Sequence, residues 1–259
     1  MTDIVRTTRD GGVVTITIDD PAHRNAISQT EIVRLADVFE TLSADPTVRA
    51  VVLTGAGEAF CAGANIDSDP TRIGDEAHAT ATLDALGRLT RGIVGAPFPV
   101  IAAVCGVAAG GGASIALAAD LVVAGESAFF LLPFLRVGLV PDGGATLVIA
   151  ASIGRARALR LALRGERLPA SEAYRAGLIA AVCADDAVTS VAREWAQELA
   201  GGPRLAIAAT KEAINSASLR GLSEALALEG AAQVRLSGGP DFREGVAAFK
   251  ERRAPRFAD

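Results

Sequence analysis

Three stretches of the chain set glycine and other small residues where a strand hands over to a helix or loop: Ala59 to Ile66 (AFCAGANI), Gly106 to Ser114 (GVAAGGGAS) and Gly138 to Thr146 (GLVPDGGAT). A glycine turn that opens a helix leaves backbone N–H groups unpaired, and such groups bind anions or the negative oxygen that develops during acyl chemistry. Two such turns meeting at one point would make an oxyanion hole from backbone alone, whereas any one of them reads more simply as a tight turn. The third stretch also carries a carboxylate, Asp142, between Pro141 and Gly143. Burial in apolar surroundings raises a carboxyl pKa toward that of a useful base. An Asp ahead of Gly-Gly and an apolar run is equally a helix N-cap, and capping N–H bonds would lower the same pKa. Asp67, Asp69, Asp75 and Glu76 follow the first stretch and read as solvated loop acids before anything else.

Other glycine-rich and nucleophilic chemistries find no support. Gly55-Ala56-Gly57 begins a dinucleotide fingerprint but lacks its third glycine, and no GxxxxGK[ST] is present. Ser114 lies outside any GxSxG, and neither His23 nor His78 has a triad context or metal-ligand spacing. Cys61, Cys105 and Cys183 are far apart and in apolar company, which predicts reduced structural thiols.

The elements that must position these segments are legible in outline. Val13 to Asp19 alternates branched apolar residues with Thr, as a half-buried strand does; Ala50 to Leu53, Val100 to Val104 and Leu121 to Ala124 are short apolar runs that read as buried strands. Ser28 and Glu31 form a capping box for a helix whose face is Ile32, Leu35, Ala36, Phe39 and Leu42. A second amphipathic helix carries Leu83, Leu86, Leu89 and Ile93. Beyond about residue 143 the strand signals thin out and helices dominate, at 155–163, 171–176, 187–199, 204–217, 222–234 and 241–252. The expectation is an α/β fold with a helical C-terminal region, residues 1–195 forming the core and 196–259 a helical region of the same functional unit.

With 259 residues, half of them hydrophobic, the chain can bury a sizeable core. A net charge of −5 gives no general attraction for nucleic acid or an anionic membrane, and no basic, aromatic surface for RNA is evident. The polar start MTDIVRTTRDGG and the lack of a run of ~20 uncharged apolar residues predict a soluble, cytoplasmic protein without a signal peptide.

Taken in order, Pro21 to Ala26 (PAHRNA), AFCAGANI, the GGG segment, GLVPDGGAT and Phe249 to Arg253 (FKERR) resemble the enoyl-CoA hydratase/isomerase (crotonase) superfamily along nearly the whole chain. The resemblance implies a spiral of ββα units, a homotrimer or hexamer whose 196–259 region serves trimerisation, an acyl-CoA thioester as substrate, and no cofactor beyond the coenzyme A of the substrate. It assigns the thioester oxyanion hole to the N–H groups of Ala64 and Gly111. It lays coenzyme A along Arg24, Ala26, Ala62, Asn65 and Ile66, with Arg252 of the terminal helix near its phosphates. Asn65 stands where members often have Asp.

The resemblance also exposes two departures. The two glutamates of a hydratase are replaced by Ser114 and Phe134, neither of which moves a proton near pH 7. Asp142 is the carboxylate left at a position where members that shift double bonds, or displace halide from aryl thioesters, carry their working acid. The expected activity is double-bond isomerisation of an acyl-CoA with Asp142 as acid and base. Alternatives are an atypical hydratase, a dehalogenase-like aryl-CoA hydrolase with Asp142 as nucleophile, and a non-catalytic acyl-CoA-binding subunit. Leu83, Leu86 and Phe129 to Leu132 are the candidate apolar lining for the acyl group.

Overall fold

The computed structural model describes residues 4–65 and 74–257. The chain opens with a hairpin of β1 (Val5–Asp10) and β2 (Val13–Ile18), then α1 (Gln29–Ala44), β3 (Ala50–Gly55) and α2 (Glu76–Val94). Ser28 begins α1 as its composition predicts: its Oγ accepts from Thr30 N at 3.2 Å, and Glu31 reaches back to Ser28 N at 2.7 Å.

The middle of the chain winds as a spiral of ββα turns. β4 (Val100–Val104) leads to β5 (Val107–Ala109) and α3 (Gly111–Leu117); β6 (Leu121–Gly125) leads to β7 (Phe129–Leu131), α4 (Ala145–Ile153) and α5 (Arg155–Arg164). β8 (Leu168–Pro169), α6 (Ala170–Ala176) and β9 (Ala181–Cys183) close it. The first strand of each turn joins a six-stranded sheet ordered β1-β2-β3-β4-β6-β9, parallel from β2 onward; β5, β7 and β8 form a second, three-stranded sheet. The corner between β4 and β5 depends on Gly106, at φ 53°, because a side chain there would strike the Glu58 carbonyl.

Strand alternation divides the interior in two. Val14, Ile16, Val51, Leu53, Val100 and Ala102 face a large core shared with α1, α2 and α3, while Val13, Ala50, Val52, Ile101, Ala103 and Val123 face α7 (Val188–Gly201) through Val188, Ala192 and Ala196. Three helices follow: α8 (Arg204–Ser218), α9 (Leu222–Ser237) and α10 (Pro240–Lys250). α8 is tied down by polar contacts: Lys211 Nζ meets Asp120 Oδ2 at 2.7 Å and donates to the carbonyls of Ile93 and Phe98. Among the described residues no helix is long and apolar enough to cross a membrane.

Five strands escape sequence reading. β1 buries only Val5, so no alternation marks it; β5, β7, β8 and β9 have two or three residues each and exist through pairing with distant chain.

Candidate active site

The first and second glycine stretches are joined. Cys61 and Ala108 form a parallel bridge in which Cys61 N donates to Val107 O at 3.1 Å and Ala109 N to Cys61 O at 2.9 Å. Gly63, at φ 95°, passes so close to β5 that a methyl group on it would lie 2.8 Å from Ala109 O and 3.7 Å from Gly110 Cα. The residue after each member of this touching pair, Ala64 and Gly111, bears a free N–H. Ala64 bridges Ile27 through the atoms of its neighbours, Ile27 N donating to Gly63 O and Asn65 N to Ile27 O, both at 2.9 Å, so its own N–H faces away from that pairing. Gly111 is the first residue of α3, where an N–H has no partner within the helix. Neither N–H has a hydrogen-bond partner among the described residues.

Gly112 explains why three glycines stand together. A methyl group there would lie 2.5 Å from Cys61 O and 2.7 Å from Cys61 Sγ. Gly112→Ala is therefore expected to push the two turns apart and cost about 1–3 kcal/mol in urea unfolding. An unchanged midpoint would mean that the turns are not closely packed. Cys61 itself is sealed, and burial pushes its thiol up to about 12, so it packs and does no chemistry.

The third stretch lies against the second. Gly143 (φ 64°) and Gly144 (φ 81°) are consecutive left-handed residues; a methyl group on Gly143 would lie 2.9 Å from Ser114 Cβ and 3.2 Å from Leu86 Cδ2. Thr90 Oγ1 donates to Gly143 O at 3.0 Å, fixing the turn to α2. This sets Asp142 one residue from α3 packing. The residue is half-buried, yet its Oδ1 is buried without a hydrogen-bond partner. Loss of solvent raises its carboxyl from 3.8 to about 7; Gln233 opposes the rise and the nearby Glu229 adds to it.

Asp142 caps no helix. α4 begins at Ala145 after an N-cap, Gly144, that makes no side-chain cap, and the free N–H groups of this end are taken by Glu229 of α9: Gly144 N at 2.7 Å and Thr146 N at 2.9 Å. Thr146 Oγ1 donates to the same carboxylate at 2.5 Å. One helical turn further along α9, Gln233 Nε2 donates to Asp142 Oδ2 at 2.8 Å, while Gln233 Oε1 is buried and unpartnered. Glu229 and Gln233 are 6% and 5% exposed. Sequence reading missed both. The available signal was their place on the inward stripe Leu222, Leu226, Glu229, Gln233, where polar residues interrupt a helical core face.

The remaining expected residues divide. Arg24, Ala26, Ala62 and Asn65 come together: Ala62 N donates to Arg24 O at 3.0 Å beside the Ile27 bridge. Arg24 and Asn25 are left-handed, at φ 52° and 57°, and the buried Asn25 amide holds the turn by donating to Ala56 O and Ala59 O. Ile66, Asp67 and Asp69 lie outside the described residues. Asp75 caps α2 by accepting from His78 N at 3.0 Å, and Glu76 is the first residue of that helix. Arg252 is on an exposed turn after α10, and no hydrogen bond or ion pair among the described residues links it to Arg24 or Asn65. Its neighbour Arg253 is engaged by Glu244 and Glu251. Ser114, 2% exposed, donates to Gly110 O at 3.3 Å. The Phe134 ring tip is 3.9 Å from where a Gly110 side chain would begin, an apolar wall beside the free Gly111 N–H.

Comparison with known proteins places this arrangement. The family model for enoyl-CoA hydratase/isomerase matches residues 8–259. The chain belongs to the enoyl-CoA hydratase/isomerase family. It is 39% identical to a 1,2-epoxyphenylacetyl-CoA isomerase of Escherichia coli K12 over 95% of each chain. It is 40% identical to a probable enoyl-CoA hydratase of Rhodobacter capsulatus over 95% of this chain and 94% of that one. A crystal structure of an enoyl-CoA hydratase from Mycobacterium avium subsp. paratuberculosis K-10 superposes with a TM-score of 0.91 at 42% identity, covering 99% of both chains. In this enoyl-CoA hydratase/isomerase family member the glycine turns carry two N–H groups unpaired among the described residues, beside Asp142 with its raised carboxyl, the buried Ser114 and the Phe134 ring.

Proposed function

We propose that the protein is an acyl-CoA isomerase that moves a double bond through a thioester enolate. The observation that carries this reading is the state of Asp142: one oxygen held by Gln233, the other buried and free, and a carboxyl raised to about 7. Such a group gives and takes a proton at comparable cost near neutral pH.

The Asp142 carboxylate removes an α-proton from a 3-enoyl thioester. The electron pair moves into the thioester carbonyl, whose oxygen becomes an enolate stabilised by the N–H groups of Ala64 and Gly111. The same acid returns the proton at the γ-carbon, and the product is the 2-enoyl thioester. No water is consumed, which suits a site with Ser114 and Phe134 where hydratases carry glutamates. Coenzyme A would run along Arg24, Ala26, Ala62, Asn65 and Ile66, with Arg252 as the cation for its phosphates. The Escherichia coli relative is named as an isomerase of an epoxidised acyl-CoA, which supports isomerisation of an acyl-CoA in general. The exposed Leu205, Ile214, Leu228 and Phe249 on α8 to α10 support association into a trimer or hexamer through the 196–259 region.

The test is proton exchange and double-bond migration in deuterated buffer with a panel of 3-enoyl- and 2-enoyl-CoA substrates. Deuterium at the α- and γ-carbons with interconversion of isomers is the expected result. Hydration of 2-enoyl-CoA without migration would replace the reading with an atypical hydratase. Tight thioester binding without exchange would replace it with a binding subunit.

A further inference from the structure

Asp142 and Gln233 come from opposite ends of the site's architecture, one from the turn before α4 and one from the middle of α9, and they meet in a single hydrogen bond of 2.8 Å. Each side chain leaves one oxygen buried and unpartnered, Asp142 Oδ1 and Gln233 Oε1. An unsatisfied buried acceptor is costly, so two on bonded neighbours point to a pair built to change its hydrogen bonding. A glutamine amide can do this. Its NH₂ donates strongly to a carboxylate and more weakly to the carbonyl oxygen of a carboxylic acid.

We propose that Gln233 is a positioning residue for Asp142: it pins one carboxyl oxygen, leaves the other to carry the proton, and partners the carboxyl in both protonation states. This rests on the assignment of Asp142 as the acid and base of the proposed isomerisation. In the carboxylate, Nε2–H holds Oδ2 and Oδ1 is free to accept the α-proton. In the acid, the proton rides on Oδ1 and Nε2–H goes on donating, more weakly, to the Oδ2 carbonyl oxygen. Glu229 acts beside this pair in a fixed role, its two oxygens occupied by Gly144 and Thr146, so the turn bearing Asp142 does not move as the proton does. Among the described residues Glu229 is the charged group that acts on Asp142; α2 presents Leu86 and Thr90 to the turn, and α3 presents Ser114.

The experiment compares wild type, Gln233→Leu and Gln233→Glu. In Gln233→Leu the hydrogen bond to the ionised form is gone, so the acid limb of the α-exchange profile is expected to move up by about one pH unit. The turnover number falls about 10-fold, with KM little changed. Gln233→Glu, which keeps size and polarity, retains activity at low pH, where it can still donate, and loses it as the new carboxyl ionises. The pKa of Asp142 is read separately, by carbon NMR of labelled carboxyl groups assigned with Asp142→Asn. An upward move of that pKa in Gln233→Leu supports the proposal even if no substrate in the panel is isomerised, in which case the isomerase reading alone fails. A profile that merely scales down without moving its limb, with an unmoved carboxyl pKa, overturns the proposal and leaves Gln233 a packing residue.

Discussion

Asp142→Asn is expected to lower α-proton exchange and double-bond migration by ~100-fold or more while the fold survives. Asparagine keeps the volume of the side chain and an oxygen for Gln233 Nε2, so the turn before α4 keeps its geometry. What is lost is the proton carrier. The same substitution has a second readout in stability. Burial raises the Asp142 carboxyl from 3.8 in the unfolded chain to about 7 in the fold. Because the folded-state value is raised, the contribution of this group to stability is fully present below about pH 4 and is lost as pH rises through about 7. The uncharged variant escapes that loss. It is expected to be more stable than wild type by about 1–3 kcal/mol at pH 8 and equal to it near pH 4. Exchange rates and thermal melts at the two pH values check both halves. A variant that exchanges protons as wild type does would remove Asp142 from the chemistry.

Gly111→Pro is expected to reduce the turnover number by about 10²–10³-fold, the usual loss of one oxyanion donor. The substitution removes a single N–H that makes no hydrogen bond among the described residues. Proline is tolerated at the first position of a helix, where the missing donor has no helical partner, and a side chain at Gly111 meets nothing within 4 Å. Gly111→Ala is the control, since it adds the same first carbon and keeps the N–H. Circular dichroism that matches wild type in both variants, with loss of rate in proline alone, would isolate the backbone donor. Equal rates in both would place the thioester oxygen elsewhere.

Much of this was legible from the chain alone because the governing signals are local. Ser28 and Glu31 cap α1 from three residues apart, and the unbroken apolar run of Ala50 to Leu53 needed a strand buried on both faces. The glycines at 63, 106, 110 and 112 likewise mark places where two backbones touch. What stayed hidden is set by residues far apart in sequence. Asp142 carries the local pattern of a helix cap, yet the N–H groups it would have bound are taken by Glu229, 85 residues beyond Gly144. That displacement relieves the carboxyl of the bonds that would have kept it acidic, and no window around residue 142 contains the information. The short strands β5, β7, β8 and β9 follow the same logic, since two or three residues become a strand only through a distant partner.

Gln233 lies 91 residues after Asp142. A ribosome therefore releases both sheets, the glycine turns and Asp142 before it has made the helix that gives this carboxyl its partner. Domains tend to fold as they emerge, N-terminal portion first. A nascent or truncated chain ending before α9 would hold the joined glycine turns with Asp142 lacking its Gln233 partner, and the proposed proton chemistry would be the last thing the chain acquires. On the proposed mechanism, docking of α9 would be the step that readies Asp142, and a graft of this carboxyl into a relative would have to carry α9 with it.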